Sequence, residues 1–105
     1  PRLIEIHRHL HSHPELSGQE YKTSAYVAGV LSSCGLQVQE GVGKVGVVGE
    51  LAGAGHDSRL LAIRADMDAL PIVERTKLDY ASRQSGIMHA CGHDIHTVWL
   101  MGLAK

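Results

Sequence analysis

The sequence predicts an α/β domain. Apolar residues recur at helical spacing near both ends of the chain, the middle switches to strand-like alternation, and glycines mark the changeovers. At the start, Leu3, Ile6 and Leu10 share one helical face, with Arg2, Glu5 and Arg8 on others. That helix must end by His13, because Pro14 disfavours helical backbone at the residue before it. Ser17-Gly18-Gln19-Glu20 has the pattern of a capping box, in which Ser17 and Glu20 satisfy each other's backbone N–H groups. It opens a second helix over about residues 18–34, striped by Tyr21, Ala25, Ala28 and Leu31. Gly35 followed by Leu36 supplies a left-handed stop.

Leu36–Glu40 then alternates as a half-buried strand does, and Val45–Leu51 reads as a second strand weakened by its glycines. Residues 53–58 form a turn, and Arg59–Arg64, more continuously apolar, reads as a third and central strand. Residues 71–90 look irregular. Ile95, Val98, Trp99, Gly102 and Leu103 return to helical spacing and run to Lys105. No initiator Met and no helix stop at the far end are present, so we expect a fragment.

Composition narrows the functional classes. The 105 residues are 44% hydrophobic and 20% charged with a formal net charge of −1, so the sequence has no basic footprint for nucleic acid. No apolar run approaches the ~18 residues that suggest a membrane helix, and the polar amphipathic start does not resemble a signal peptide. Cys34 and Cys91 belong to no spaced disulfide framework; we read both as reduced, in a cytoplasmic compartment. Eight histidines in so short a chain direct attention to a metal or proton-transfer site.

Two segments carry candidate chemistry. Asp66 and Asp68 follow the apolar run Arg59–Arg64, and in open α/β sheets ligands bind at the carboxyl ends of strands. If extended, the two carboxylates point to one side, although turn-forming or N-capping aspartates explain the spacing at least as well. The run His89-Ala90-Cys91-Gly92-His93-Asp94-Ile95-His96 is sharper. Thiolate and imidazole both suit borderline metals such as zinc. In an extended segment Cys91 and His93 share a face, with Gly92 allowing close backbone approach. Asp94 is placed to cap the following helix and to orient a ligand histidine. His89 and His96 read as supporting residues. A closed structural zinc site takes four Cys/His ligands, and the second pair is absent.

Taken together, His11-Ser12-His13-Pro14-Glu15-Leu16, Arg64–Pro71 (RADMDALP) and Met88–His96 (MHACGHDIH) resemble the M20 metallopeptidase family, in particular its amidohydrolase branch of hippurate hydrolases, N-acyl-amino-acid amidohydrolases and auxin-conjugate hydrolases. The match spans essentially the whole chain, and the last two motifs are long and specific. The resemblance implies the N-terminal part of a zinc-peptidase-like catalytic domain over residues 1–105. This part would hold two N-terminal helices, about three strands of a mixed sheet and a final helix, with the lid or dimerisation domain absent. It implies Cys91 and His93 as metal ligands and Asp68 as a carboxylate supporting the site from behind. Asp66 falls where other branches place a ligand His, so it is not assigned as a ligand.

The implied reaction is hydrolysis of the amide bond of small N-acyl amino acids by a water that two divalent ions activate. Zn or Mn are the expected ions, and Co or Ni are also suited. The catalytic Glu pair and the remaining ligands belong to later sequence. The isolated piece is therefore expected to be inactive, and a homo-oligomeric parent stays open. Two other readings compete. One is a small non-catalytic metal-binding module built on the Cys/His cluster. The other is a phosphohydrolase using His93-Asp94, which the predicted strands disfavour.

Overall fold

A computed structural model describes residues 2–55 and 59–105. In chain order the elements are α1 (Arg2–Ser12), α2 (Tyr21–Ser33), β1 (Gln37–Val42), β2 (Gly46–Glu50) and α3 (His93–Leu103). This is the expected α/β order of two helices, strands and a final helix. None of the described helices is long and apolar enough to cross a membrane.

Helix α1 buries Ile6 and Leu10, α2 buries Val27 and Leu31, and α3 buries Val98 and Met101; these six side chains form the core. Each such side chain contributes roughly 1.5–3 kcal/mol when fully buried. The core therefore clamps α3 against α1, which fixes the helix that carries His93, Asp94 and His96. On the other flank α2 packs against the β1–β2 hairpin. Gly49 makes that contact possible: a Cβ there would lie 2.8 Å from Leu36 Cδ2 and 3.2 Å from Leu31 Cδ1. The hairpin is antiparallel, pairing Gln37 with Glu50 and Glu40 with Val47. Its register shifts between Glu40 and Val42, where Gly41 takes a left-handed φ of 74°.

The stop of α2 is as expected. Leu36 N–H donates to Leu31 O at 3.3 Å and Gly35 N–H to Ser32 O at 2.9 Å around a Gly35 φ of 87°, which is a Schellman closure. Its start is not. Gly18 turns left-handed, the helix begins at Tyr21, and neither Ser17 nor Glu20 caps it with a side chain. Glu15 caps it instead, its carboxylate accepting from Lys22 N at 3.2 Å, Thr23 N at 2.7 Å and Thr23 Oγ1 at 2.8 Å. A carboxylate reaching back from before the turn satisfies the first-turn donors that a local capping box would have served.

The third strand is corrected. Residues 59–68 lie in neither helix nor strand, with Leu60 86%, Leu61 83% and Ile63 54% exposed. A strand exists through its neighbour's hydrogen bonds, and among the described residues none runs beside this segment. The sheet there is therefore two-stranded and antiparallel rather than three-stranded and mixed. The turn expected over 53–58 extends into 56–58, outside the described residues.

Beyond residue 64 the chain is irregular but anchored. Ala69 N–H donates to Glu15 O at 2.8 Å, Leu70 and Met88 exchange two bonds of 3.0 Å, and Arg83 N–H donates to Ser12 O at 2.9 Å. These bonds hold the segment around Asp66 and Asp68 beside the end of α1 and the start of α3.

Candidate metal centre

Two clusters of imidazoles and carboxylates meet at the N-terminus of α3. The chain enters this helix through Gly92, whose φ of 79° turns the backbone directly into the first helical residue, His93. Cys91 and His93 therefore flank a left-handed glycine; the extended segment expected from the sequence is not formed. His93 and His96, three residues apart on a helix, share a face, while Asp94 points elsewhere.

The open cluster gathers Asp66, Asp68, His93 and His96. His93 Nδ1 lies 2.8 Å from Asp68 Oδ1 and 3.0 Å from the Asp68 carbonyl. Both partners only accept, so Nδ1 carries the proton and a neutral ring presents its lone pair at Nε2. That Nε2 is 3.6 Å from Asp66 Oδ2, too long for a hydrogen bond. Two ligands each ~2.0–2.2 Å from one ion can stand that far apart. His96 Nδ1 donates to Asp66 Oδ1 at 2.9 Å. This bond, with lesser help from the nearby His93, holds the Asp66 carboxyl below its ordinary pKa. Thr97 Oγ1 donates to the Asp66 carbonyl at 2.8 Å, tying the segment to α3. One donor atom from each of Asp66, His93 and His96 lies within 4.8 Å of the others. All three are at least partly exposed, so an ion has access.

The buried cluster joins His7 and His11 of α1 to Asp94. Spaced four apart, the two histidines lie on one face of α1. Asp94, 2% exposed, accepts at Oδ2 from His11 Nδ1 at 2.7 Å, and His7 Nε2 lies 3.0 Å from the same oxygen. Its Oδ1 accepts from Ile95 N at 3.0 Å. The far nitrogen of His11 is 3.1 Å from Glu74 Oε1. Glu74 in turn accepts from Ser82 N at 2.6 Å and from the Thr76 hydroxyl. Each nitrogen of His11 thus faces a carboxylate, so both carry protons. Burial opposes the charge, but the bonds to Asp94 and Glu74 outweigh it and raise the His11 pKa above the ordinary value. Tyr80 closes the cluster edge-on against His11, at 5.5 Å between ring centroids.

His89 stands beside both clusters, 6% exposed, its ring 6.4 Å from that of His11. Burial lowers its pKa, which keeps the ring neutral, and neither ring nitrogen has a hydrogen-bond partner among the described residues.

The residues expected from the sequence divide as follows. Asp68 and His93 are hydrogen-bonded to each other. Cys91 is an exposed free thiol at the bend before α3, outside the three-donor group of Asp66, His93 and His96. Asp94 does not orient a ligand histidine; it receives His7 and His11. Sequence reasoning passed over His96 and Asp66 as donors and gave no role to His7, His11 or Glu74. The spacings His7/His11 and His93/His96 were available as signals of shared faces. Glu74, in an irregular loop, offered none.

Residues 62–105 match the family described as Peptidase family M20/M25/M40. The structure aligns over 98% of the chain, with a TM-score of 0.92 and 46% identity, to a crystal structure of the Bacillus subtilis YXEP protein, described as a dinuclear metal binding peptidase from the M20 family. Residues 62–105 therefore carry the family match, and the whole chain is similar in fold to a member of that family. It is also 71% identical over 99% of its length to a probable hydrolase, sll0100, of Synechocystis sp., and 50% identical over 98% to an N-acetyl-L-cysteine deacetylase of Bacillus subtilis. The match covers 26% and 24% of those two relatives and 29% of the YXEP chain, so the chain spans about a quarter of the length of the relatives it matches.

Proposed function

We propose that this chain forms part of a metal-dependent hydrolase that cleaves the amide bond of N-acyl amino acids, within a catalytic domain of the length its relatives have. One observation carries the reading. Asp68 holds His93 by its far nitrogen, and the near nitrogen turns toward Asp66 and its partner His96. A carboxylate gripping the distal nitrogen of an imidazole fixes its tautomer and raises its basicity, which is how ligand histidines are commonly held. The deacetylase name among the relatives points to the substrate class, and the dinuclear neighbour points to two ions.

In this reading His93 and Cys91 are ligands, Asp66 and His96 complete the donor set on this side, and Asp68 orients His93. Zinc or manganese suits such a mixture of sulfur, nitrogen and oxygen donors, as do cobalt and nickel. When bound, the ions supply Lewis acidity for the amide carbonyl and acidity for the attacking water. The chain's own residues bind and orient. Cys91 gives up its thiol proton to become a ligand, and Asp66 adds a negative charge beside a cation site. Water adds across the C–N bond, giving a carboxylate and a free amine.

The test is hydrolysis of N-acetyl amino acids by a metal-loaded catalytic domain of the relatives' length that contains this chain, followed as amine release. We expect turnover that a chelator abolishes, that added Zn or Mn restores, and that Cys91→Ala and His93→Ala each reduce by at least ~100-fold. Tight metal binding with no hydrolysis of any N-acyl amino acid contradicts the proposal and favours a non-catalytic metal-binding role.

A further inference from the structure

We infer that His11, bridging Asp94 and Glu74, is a positioning residue that sets the rotation of α3 and thereby the geometry of the metal-binding donors. The inference rests on the proposed metal-dependent function and deepens it.

Successive residues of an α-helix are turned by about 100°. Asp94 follows His93 directly and precedes His96 by two residues, so its side chain leaves α3 in a direction well away from both. Holding Asp94 against α1 therefore presents the His93/His96 face to Asp66 and Asp68. His11 does this holding through its 2.7 Å bond to Asp94 Oδ2, with His7 Nε2 3.0 Å from the same oxygen.

His11 differs from His7 in having a second anchor. Its other nitrogen reaches Glu74 at 3.1 Å, and Glu74 is itself tied to Ser82 N at 2.6 Å. The imidazole thus links α1, the N-terminus of α3 and the 74–82 loop. That loop lies between Leu70 and Met88, which exchange backbone bonds just outside the Asp66–Asp68 segment and the Cys91–His93 bend. Loss of the bridge frees α3 to rotate relative to the carboxylates it must meet. The relevant margin is small, because the His93 Nε2–Asp66 Oδ2 separation is 3.6 Å.

The same three groups, His7, His11 and Asp94, also bring donor atoms within 4.8 Å of one another. The chemistry favours a hydrogen-bonded latch over a cation site. Both nitrogens of His11 are occupied by carboxylates, and Asp94 is buried and already accepts from His11.

The test is a cobalt(II) titration of the metal-free protein, read from the thiolate-to-cobalt charge-transfer band and the ligand-field bands. Wild type, His11→Gln, Glu74→Gln and Val27→Ala are compared, with thermal unfolding recorded for each. Val27 is an apolar core side chain with no hydrogen-bonding group of its own, so its truncation loosens the fold without removing the bridge. We expect His11→Gln to weaken cobalt affinity by at least ~10-fold and to shift the ligand-field bands, as loss of a supporting residue behind a metal ligand does. Glu74→Gln should change both in the same direction by less, and it decides the question if His11→Gln does not fold. Val27→Ala should lower the unfolding temperature and leave affinity and spectrum unchanged. Wild-type affinity and bands in the bridge variants overturn the inference alone, as does an equal loss in Val27→Ala. A wild-type protein without a cysteine-dependent band overturns the metal reading and this inference together.

Discussion

The two imidazole–carboxylate clusters of this chain use the same donor types, lie at the same end of one helix and are set up for opposite tasks. In the buried cluster His11 has both nitrogens on carboxylates, Asp94 is 2% exposed, and donors and acceptors are matched. In the open cluster His93 spends one nitrogen on Asp68 and leaves the other 3.6 Å from an Asp66 oxygen, short of any hydrogen bond. Pairing and burial separate a latch from a ligand set, and residue type does not. Asp94 already accepts from His11, whereas Asp66 faces an imidazole nitrogen that lies beyond hydrogen-bond distance.

The contrast is broken most strongly at Asp94. Asp94→Ala removes the buried partner of His11, whose side chain is 11% exposed, and we expect a loss of about 3–5 kcal/mol in unfolding free energy, measured by denaturant titration. A loss below about 1 kcal/mol contradicts the assignment of Asp94 as the centre of the latch. The corresponding change in the open cluster, Asp68→Asn, acts elsewhere. It should weaken metal affinity by roughly 10–100-fold while changing stability by less than about 1 kcal/mol, because Asp68 is a quarter exposed and supports a ligand rather than a core. Calorimetric metal titration beside chemical unfolding separates the two quantities.

A smaller effect comes from pH. The folded-state pKa of His11 is raised, so its contribution is fully present below the unfolded value of about 6.5 and fades as pH climbs through the folded value. Glu74 is depressed: burial works against its charge, but the bonds from Thr76, Ser82 and His11 prevail, so its contribution fades as pH falls through its folded value. Asp94 and Glu74 face His11 directly, with His7, His89 and Tyr80 packed around them. Unfolding of the metal-free protein should therefore become easier as pH rises above about 6.5 through the folded value of His11, and His11→Gln should flatten that slope.

How much of this was legible in the sequence depended on whether the deciding contact was local. The Gly35–Leu36 stop of α2 is a local hydrogen-bond pattern and is found where expected. The capping box was wrong because Glu15, outside the four-residue window, reaches Thr23 first. The run Arg59–Arg64 reads as a strand because its side chains are apolar, but strand formation depends on a partner that composition does not reveal. Among the site residues, His93 and Asp68 stood out because both lie in specific motifs, and their 2.8 Å bond joins those motifs across 25 residues. Cys91 stood out equally and lies beside the three-donor group rather than inside it. His7 and His11 share a helical face, but the partners of His11, Asp94 and Glu74, lie 83 and 63 residues away and leave no local trace.

The central claim is that the cation belongs to the open cluster and the proton to the buried one. Zinc titration of the metal-free protein, comparing wild type with His93→Ala and His7→Ala, tests it most directly. The account predicts that His93→Ala loses at least ~100-fold in affinity while His7→Ala stays within roughly threefold of wild type at lower thermal stability. Binding that survives His93→Ala and disappears in His7→Ala would assign the ion to the wrong cluster and contradict the account.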